Sequence, residues 1–345
     1  MSNKDITSVH DIPGFQPERD RLHSATHPEI QHGWTTDVYF AKTLDVLRTL
    51  GLEDTVITAE VFCNRSGVVC GIDQVVYLLR DREVRVWGLS EGDEMGEKEV
   101  LLRIEGRYSE FGVFETALLG ILASSSGWAT AARACRKAAG NKRVVSFGAR
   151  HVHPAVAPVM ELAALTGGCD GVSCILAAAL AGQEPVGTIP HACFLIAGDT
   201  LRVARAYPEA MPPGTPIIVL VDTFKDEVEE TLRVARDIGR RLDGIRLDTP
   251  SERGGVTPAL VREIKEHLRL EGLTGVKIVV SGGLDPERIR TLSDAGADVF
   301  GVGSFISATA PIDMTMDIKE VEGRPIAKRG RIPGRTLSPR LNRLL

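Results

Sequence analysis

Apolar and polar positions change their rhythm near the middle of the chain. In the second half, short β-branched runs alternate with amphipathic segments, which is the order of repeated β-α units. The runs predict strands at Val144–Phe147, Gly171–Cys174, Ile217–Asp222, Gly244–Asp248, Lys277–Ser281 and Val299–Val302. Between them, Lys225–Arg241 and Thr257–Leu270 are the clearest helices. In the first of these, Val228, Leu232, Ala235 and Ile238 recur at three- and four-residue spacing and give one face to bury. The first half reads differently. A polar lead precedes a helix near Phe40–Gly51, then strand-like runs at Thr55–Phe62, Val75–Leu79, Glu83–Leu89 and Val100–Tyr108. Turn signals at Gly67, Gly88, Gly92 and Gly96 separate them, as in an antiparallel sheet. Residues Phe111 to Gly140 read as a helix rich in small residues, broken at Ser124–Gly127, that bridges sheet and barrel. Beyond Ile306, Pro311–Val321 reads as a strand returning to the sheet, and Arg324–Leu345 as a basic tail containing Pro and Gly.

With 345 residues the chain can hold one β/α barrel of roughly 200 to 250 residues and a smaller domain. The expected division is an N-terminal α/β sheet domain with its bridging helix (1–140), a β/α barrel catalytic domain (141–306) and a C-terminal segment returning to the sheet domain (307–345). A composition of 43% hydrophobic and 25% charged residues is that of an ordinary soluble protein. No run of about 18 apolar residues occurs, and the polar start lacks the apolar core of a signal peptide, so a cytoplasmic protein without a membrane partner is expected. The net charge of -5 argues against a nucleic-acid partner. Cys63, Cys70, Cys135, Cys169, Cys174 and Cys193 form no C-x-x-C pair and read as buried free thiols. His10, His23, His27 and His32 read as solvated, His151 and His153 as residues at a helix start, and no metal ligands are expected.

In a parallel β/α barrel the loops after the strand C-terminal ends build the active site, and the residues falling there form one set. Phe147-Gly148-Ala149-Arg150-His151 closes the first barrel strand. Its glycine admits a close backbone approach, and its arginine offers a planar fork for carboxylate or phosphate. Asp222 ends a later strand. Arg246 and Asp248 end the next and share a side by strand alternation; a plain mutual ion pair is the simpler reading of the two. Ser281-Gly282-Gly283 and Gly301-Val302-Gly303-Ser304 follow the last two strands, where successive N–H groups and a helix N-terminus make an anion cradle. Gly187-Thr188-Ile189-Pro190-His191 presents a histidine at the start of an apolar segment, facing that mouth.

Taken in order with Thr36-Asp37-Val38-Tyr39 and Val221-Asp222-Thr223, these motifs resemble the type II phosphoribosyltransferases, specifically the nicotinate phosphoribosyltransferases, from about Thr36 to Arg331. The resemblance implies an incomplete α/β barrel beside an α/β sheet domain built from both chain ends. It also implies a homodimer or higher homo-oligomer with shared active sites. Tyr39 then matches an aromatic residue lent to the neighbouring subunit's site, stacking on the pyridine ring opposite Phe147. Arg246 would attract the nicotinate carboxylate, Asp248 would hold the ribose, Arg150 a phosphate, and Gly282, Gly283, Gly301 and Gly303 the 5-phosphate. His191 matches the histidine that family members phosphorylate transiently with ATP. The implied reaction joins nicotinate to phosphoribosyl pyrophosphate, giving nicotinate mononucleotide and pyrophosphate in NAD biosynthesis, with Mg²⁺ on the pyrophosphate and ATP as co-substrate.

Displacement at ribose C1 by a pyridine nitrogen needs little acid or base chemistry. It needs two molecules aligned and a cationic sugar stabilised, a task suited to Asp222 and Asp248. The choice of base is read at Ser173, which stands where related nicotinamide-using enzymes place an aspartate and whose hydroxyl is expected to donate to nicotinate. Quinolinate asks for more convergent Arg and Lys than Arg150 and Arg246 supply. Quinolinate or nicotinamide transfer and a non-catalytic phosphate-ligand-binding barrel remain alternatives. An aldolase or isomerase would want a lysine or catalytic carboxylate at a strand C-terminal end, yet Lys277 begins its strand. Two departures from the family pattern stand out: Ala192 follows His191 where many longer relatives have serine, and no cysteine follows Cys193.

Overall fold

A computed structural model describes residues 5–13 and 21–345. The rest of the polar lead, 1–4 and 14–20, lies outside the described residues. The chain forms two units, one of Met1–Gly127 with Ala310–Leu345 and the other of Trp128–Thr309. The dividing point falls inside the long helix Glu115–Ala139.

The first unit is built on a six-stranded antiparallel sheet in the order Arg324–Pro325, Met314–Val321, Val56–Cys63, Val100–Arg107, Val84–Gly88, Asn342–Arg343. Side chains from Ile57 to Val61 are all buried, so both faces of the central strand are covered. Glu60 sits there at 1% exposure, and a buried carboxylate is tolerable only when paired. Arg103 donates to it at 2.8 and 2.6 Å, and the Thr336 amide at 3.0 Å, which ties the C-terminal segment down. That segment ends with Asn342 opposite Gly88 and Arg343 opposite Trp87.

Three local expectations are corrected. Val75–Leu79 is not a strand but part of the helix Ile72–Leu79, in which Ile72, Val75, Leu78 and Leu79 share a buried face at helical spacing. The helix Glu115–Ala139 runs unbroken through Ser124–Gly127. Small residues are needed there for packing: Ser126 Oγ accepts from the Cys70 amide at 3.1 Å, and a Cβ on Gly127 would stand 2.8 Å from the Ala310 carbonyl. Nor is His32 merely solvated, since its Nδ1 lies 2.5 Å from Asp5 Oδ1.

Glu115 opens this helix beside Asp317 and Lys328, and burial pushes its carboxyl up from 4.5 to about 7, with the Asp317 charge adding to the effect. The folded state therefore holds this proton more tightly than the unfolded chain does. Its stabilising effect is complete below 4.5 and is lost as pH rises through about 7. Glu115→Gln is expected to raise the melting temperature at pH 8 and to leave it nearly unmoved at pH 4. The full difference corresponds to about 3 kcal/mol before any discount for partial solvation. Equal shifts at both pH values, measured by calorimetry, would remove the carboxyl as the cause.

The second unit is a parallel sheet with strand order Gly171–Val172, Arg143–Ser146, Val299–Val302, Lys277–Ser281, Gly244–Leu247, Ile218–Leu220. Among the described residues no pairing joins the two outer strands, so the sheet forms an incomplete β/α barrel, as the family resemblance implies. The helices Ile175–Leu180, His191–Ala197 and Thr200–Ala210 occupy the chain between those outer strands. Ile245, Leu247, Ile278, Val280, Phe300 and Val302 are fully buried and make the core against the helices Glu227–Ile238, Pro258–Leu270 and Pro286–Ala295. All six cysteines are free, four of them buried, and burial pushes the Cys135 thiol up to about 12. No described helix is long and apolar enough to cross a membrane.

Candidate active site

Parallel strands put all their C-terminal ends on one side, and there the second unit opens into a cavity of about 280 Å³. Phe147, Arg150, Ser173, Arg246, Asp248, Gly282, Gly283, Gly301 and Gly303 all line it, together with Thr188, Ser281, His151 and Ser304. The centre is a set of hydrogen bonds around one arginine. Arg246 Nε donates to Ser281 Oγ at 2.9 Å, Nη1 to Thr188 Oγ1 at 2.7 Å and Nη2 to Asp248 Oδ2 at 3.0 Å. Ser281 Oγ donates in turn to Asp248 Oδ1 at 2.7 Å. The expected Arg246–Asp248 pair thus exists, but as one edge of a larger network. The guanidinium stands 5.5 Å from the Phe147 ring centroid, within reach of a cation–π contact. The next residue of that strand end, Thr249, is buried and donates to the buried Glu227 at 2.9 Å, which fixes the chain behind Asp248.

Asp222 reaches the same cluster from the neighbouring strand end. Its Oδ2 accepts from the Asp248 amide at 3.0 Å, and its Oδ1 lies 3.2 Å from His191 Nε2. Burial pushes its carboxyl above the usual carboxylate range, and the His191 charge partly offsets this. His191 begins the helix His191–Ala197, and its other ring nitrogen is 4.0 Å from Asp248 Oδ2.

The glycines leave space that neighbouring side chains occupy. Gly282 and Gly283 have φ of 86° and 58°, which favour glycine, and a Cβ on Gly282 would stand 3.0 Å from Asp248 Oδ1. A Cβ on Gly301 would fall inside the space of the Phe147 ring, and one on Gly303 would lie 2.9 Å from His151 Nε2. Arg150 is exposed and has no carboxylate partner among the described residues. Tyr39 belongs to the first unit, on the helix Val38–Leu50, and is 63% exposed.

Ser173 lines the cavity, and its hydroxyl donates to Glu161 at 2.9 Å. The sequence pattern did not reveal Glu161, nor did it identify Thr188 and Ser281 as the partners that fix Arg246. Among the described residues no group of three or more His, Cys, Asp or Glu is placed to hold a metal ion.

Comparison with known proteins places this geometry. Residues 37–126 match the family described as quinolinate phosphoribosyl transferase, N-terminal domain, and residues 128–317 match its C-terminal domain. The nicotinate phosphoribosyltransferase of Mycobacterium tuberculosis is 30% identical over 253 residues, 70% of this chain and 55% of that protein. The chain therefore spans about half the length of the curated relatives it matches. The crystal structure of nicotinate-nucleotide pyrophosphorylase from Pyrococcus furiosus superposes with a TM-score of 0.87 at 44% identity, covering 91% of this chain and 82% of that one. Human nicotinic acid phosphoribosyltransferase shares the fold, with a TM-score of 0.73 at 22% identity over 87% of this chain and 77% of that one. With both domain models matched in order and the half-open barrel carrying the Arg246 network, the chain belongs to the type II phosphoribosyltransferase family.

Proposed function

We propose that this enzyme transfers the phosphoribosyl group of phosphoribosyl pyrophosphate to the ring nitrogen of nicotinate, releasing pyrophosphate in NAD biosynthesis. The observation that carries the reading is Arg246, held by three hydrogen bonds within 5.5 Å of the Phe147 ring. An aromatic face beside a fixed cation suits a flat pyridine bearing one carboxylate. Gly282, Gly283, Gly301 and Gly303 suit the 5-phosphate, and Arg150 a further phosphate oxygen. Asp248 and Asp222 place negative charge where a cationic sugar would develop. Mg²⁺ would enter with the pyrophosphate group, and Tyr39 would serve the site of a second copy in a homodimer or larger assembly.

ATP coupling belongs to the same proposal. Asp222 on one imidazole nitrogen orients His191 and raises the nucleophilicity of the other nitrogen, the arrangement needed for a transient phosphohistidine. A second reading, quinolinate as the base, is favoured by the match to both quinolinate phosphoribosyl transferase domains and by the likeness to the Pyrococcus furiosus nicotinate-nucleotide pyrophosphorylase. Pyrophosphate release with nicotinate, nicotinamide or quinolinate, each with and without ATP, separates the two. Nicotinate-dependent release that ATP enhances in the wild type but not in His191→Ala is expected. Release with quinolinate alone would move the assignment to that base, and none with any base would leave a non-catalytic barrel.

A further inference from the structure

We propose that Glu161 is a positioning residue that turns the Ser173 hydroxyl into an acceptor toward the pyridine, and so sets how strongly the site separates a ring carboxylate from a ring carboxamide. The inference rests on the pyridine-transferase reading above. Glu161 is fully buried in the otherwise apolar helix Ala157–Thr166. Glu161 is the acceptor in all three of its hydrogen bonds, from Ser146 Oγ at 3.1 Å, Ser173 Oγ at 2.9 Å and the Cys174 amide at 2.6 Å. Ser173 also lines the cavity, and a serine owns one hydroxyl proton. With that proton spent on Glu161, only lone pairs remain for the cavity. Such an oxygen repels a carboxylate and accepts from an amide N–H. The nicotinate carboxylate is then left to Arg246, and Ser173 narrows the preference for nicotinate over nicotinamide.

The backbone makes this testable by one atom. The Cys174 amide is a donor that cannot reverse, so in Glu161→Gln the new side-chain oxygen must face it. The new NH₂ then faces both serine oxygens and donates to them, which releases the Ser173 proton toward the cavity. The ratio of kcat/KM for nicotinate to that for nicotinamide is expected to rise roughly tenfold, the worth of one hydrogen bond to a charged group, with the change falling more on KM than on kcat. In a Ser173→Ala background the same Gln should leave the ratio unmoved. Ser173→Ala alone removes the acceptor and should also raise the ratio, a readout that holds even where Glu161→Gln fails to fold. A ratio that falls in Ser173→Ala, or stays unmoved in a Glu161→Gln protein with wild-type melting temperature, overturns the proposal. Absence of turnover by the wild type with every pyridine overturns the functional reading and this inference together, and is distinguished by appearing before any substitution.

Discussion

Asp248→Ala is expected to lower kcat for pyrophosphate release by at least about 10²-fold while KM for the pyridine moves only severalfold. Asp248 is the acceptor for both Arg246 Nη2 and Ser281 Oγ, and its side chain is one-fifth exposed, so its charge acts in a site largely shielded from water. A carboxylate so placed interacts more strongly with a cationic sugar than with the neutral ground state, and that difference is what raises kcat. The alanine variant also leaves a guanidinium and a hydroxyl without a partner, at about 1 to 3 kcal/mol for each group. Asp248→Asn keeps the shape and removes the charge, so it isolates the electrostatic part. An unchanged kcat with a raised KM in both variants would confine Asp248 to ground-state binding.

The second large effect is expected from a methyl group. Gly301→Ala puts a Cβ into the volume of the Phe147 ring. The Gly301 backbone cannot retreat, because it is in register with Val145 on one side and Ser281 on the other. The ring is the movable partner, and it must swing out of its place beside Arg246. A loss of about 10²-fold in kcat/KM is expected, the scale of an ångström-sized misplacement in a positioning enzyme. Adding Phe147→Ala to Gly301→Ala should recover the melting temperature without recovering turnover. Recovery of both would show that the ring does nothing for the substrate and that the glycine serves packing alone.

The barrel was legible because parallel strands buried on both faces read as continuous apolar runs, as at Val299–Val302 and in Ile278-Val279-Val280. Where sequence and structure part, the deciding contact is distant along the chain. Val75-Val76-Tyr77-Leu78-Leu79 satisfies strand propensity on its own, and only with Ile72 included does the helical spacing appear. Ser124–Gly127 reads as a helix breaker because the close approach of Cys70 and Ala310 is not visible locally. At the site, residue types were readable but their partners were not. Arg246 was legible as a cation at a strand end, whereas its bonds to Thr188 and Ser281 span 58 and 35 residues. The direction of the Ser173 hydroxyl depends on Glu161, whose only sequence signal was a single charge within Ala157–Thr166.

The four-membered set of Arg246, Thr188, Ser281 and Asp248 has a consequence for how such a site can change over time. Each member satisfies another, so replacing any one strands a partner that is largely shut off from water. Divergence would have to carry the quartet intact or exchange it as a block, across a low-fitness gap. Single-step novelty is open instead to side chains that few neighbours depend on, such as the exposed Arg150 and Tyr39, and new substrate range in this lineage would begin there.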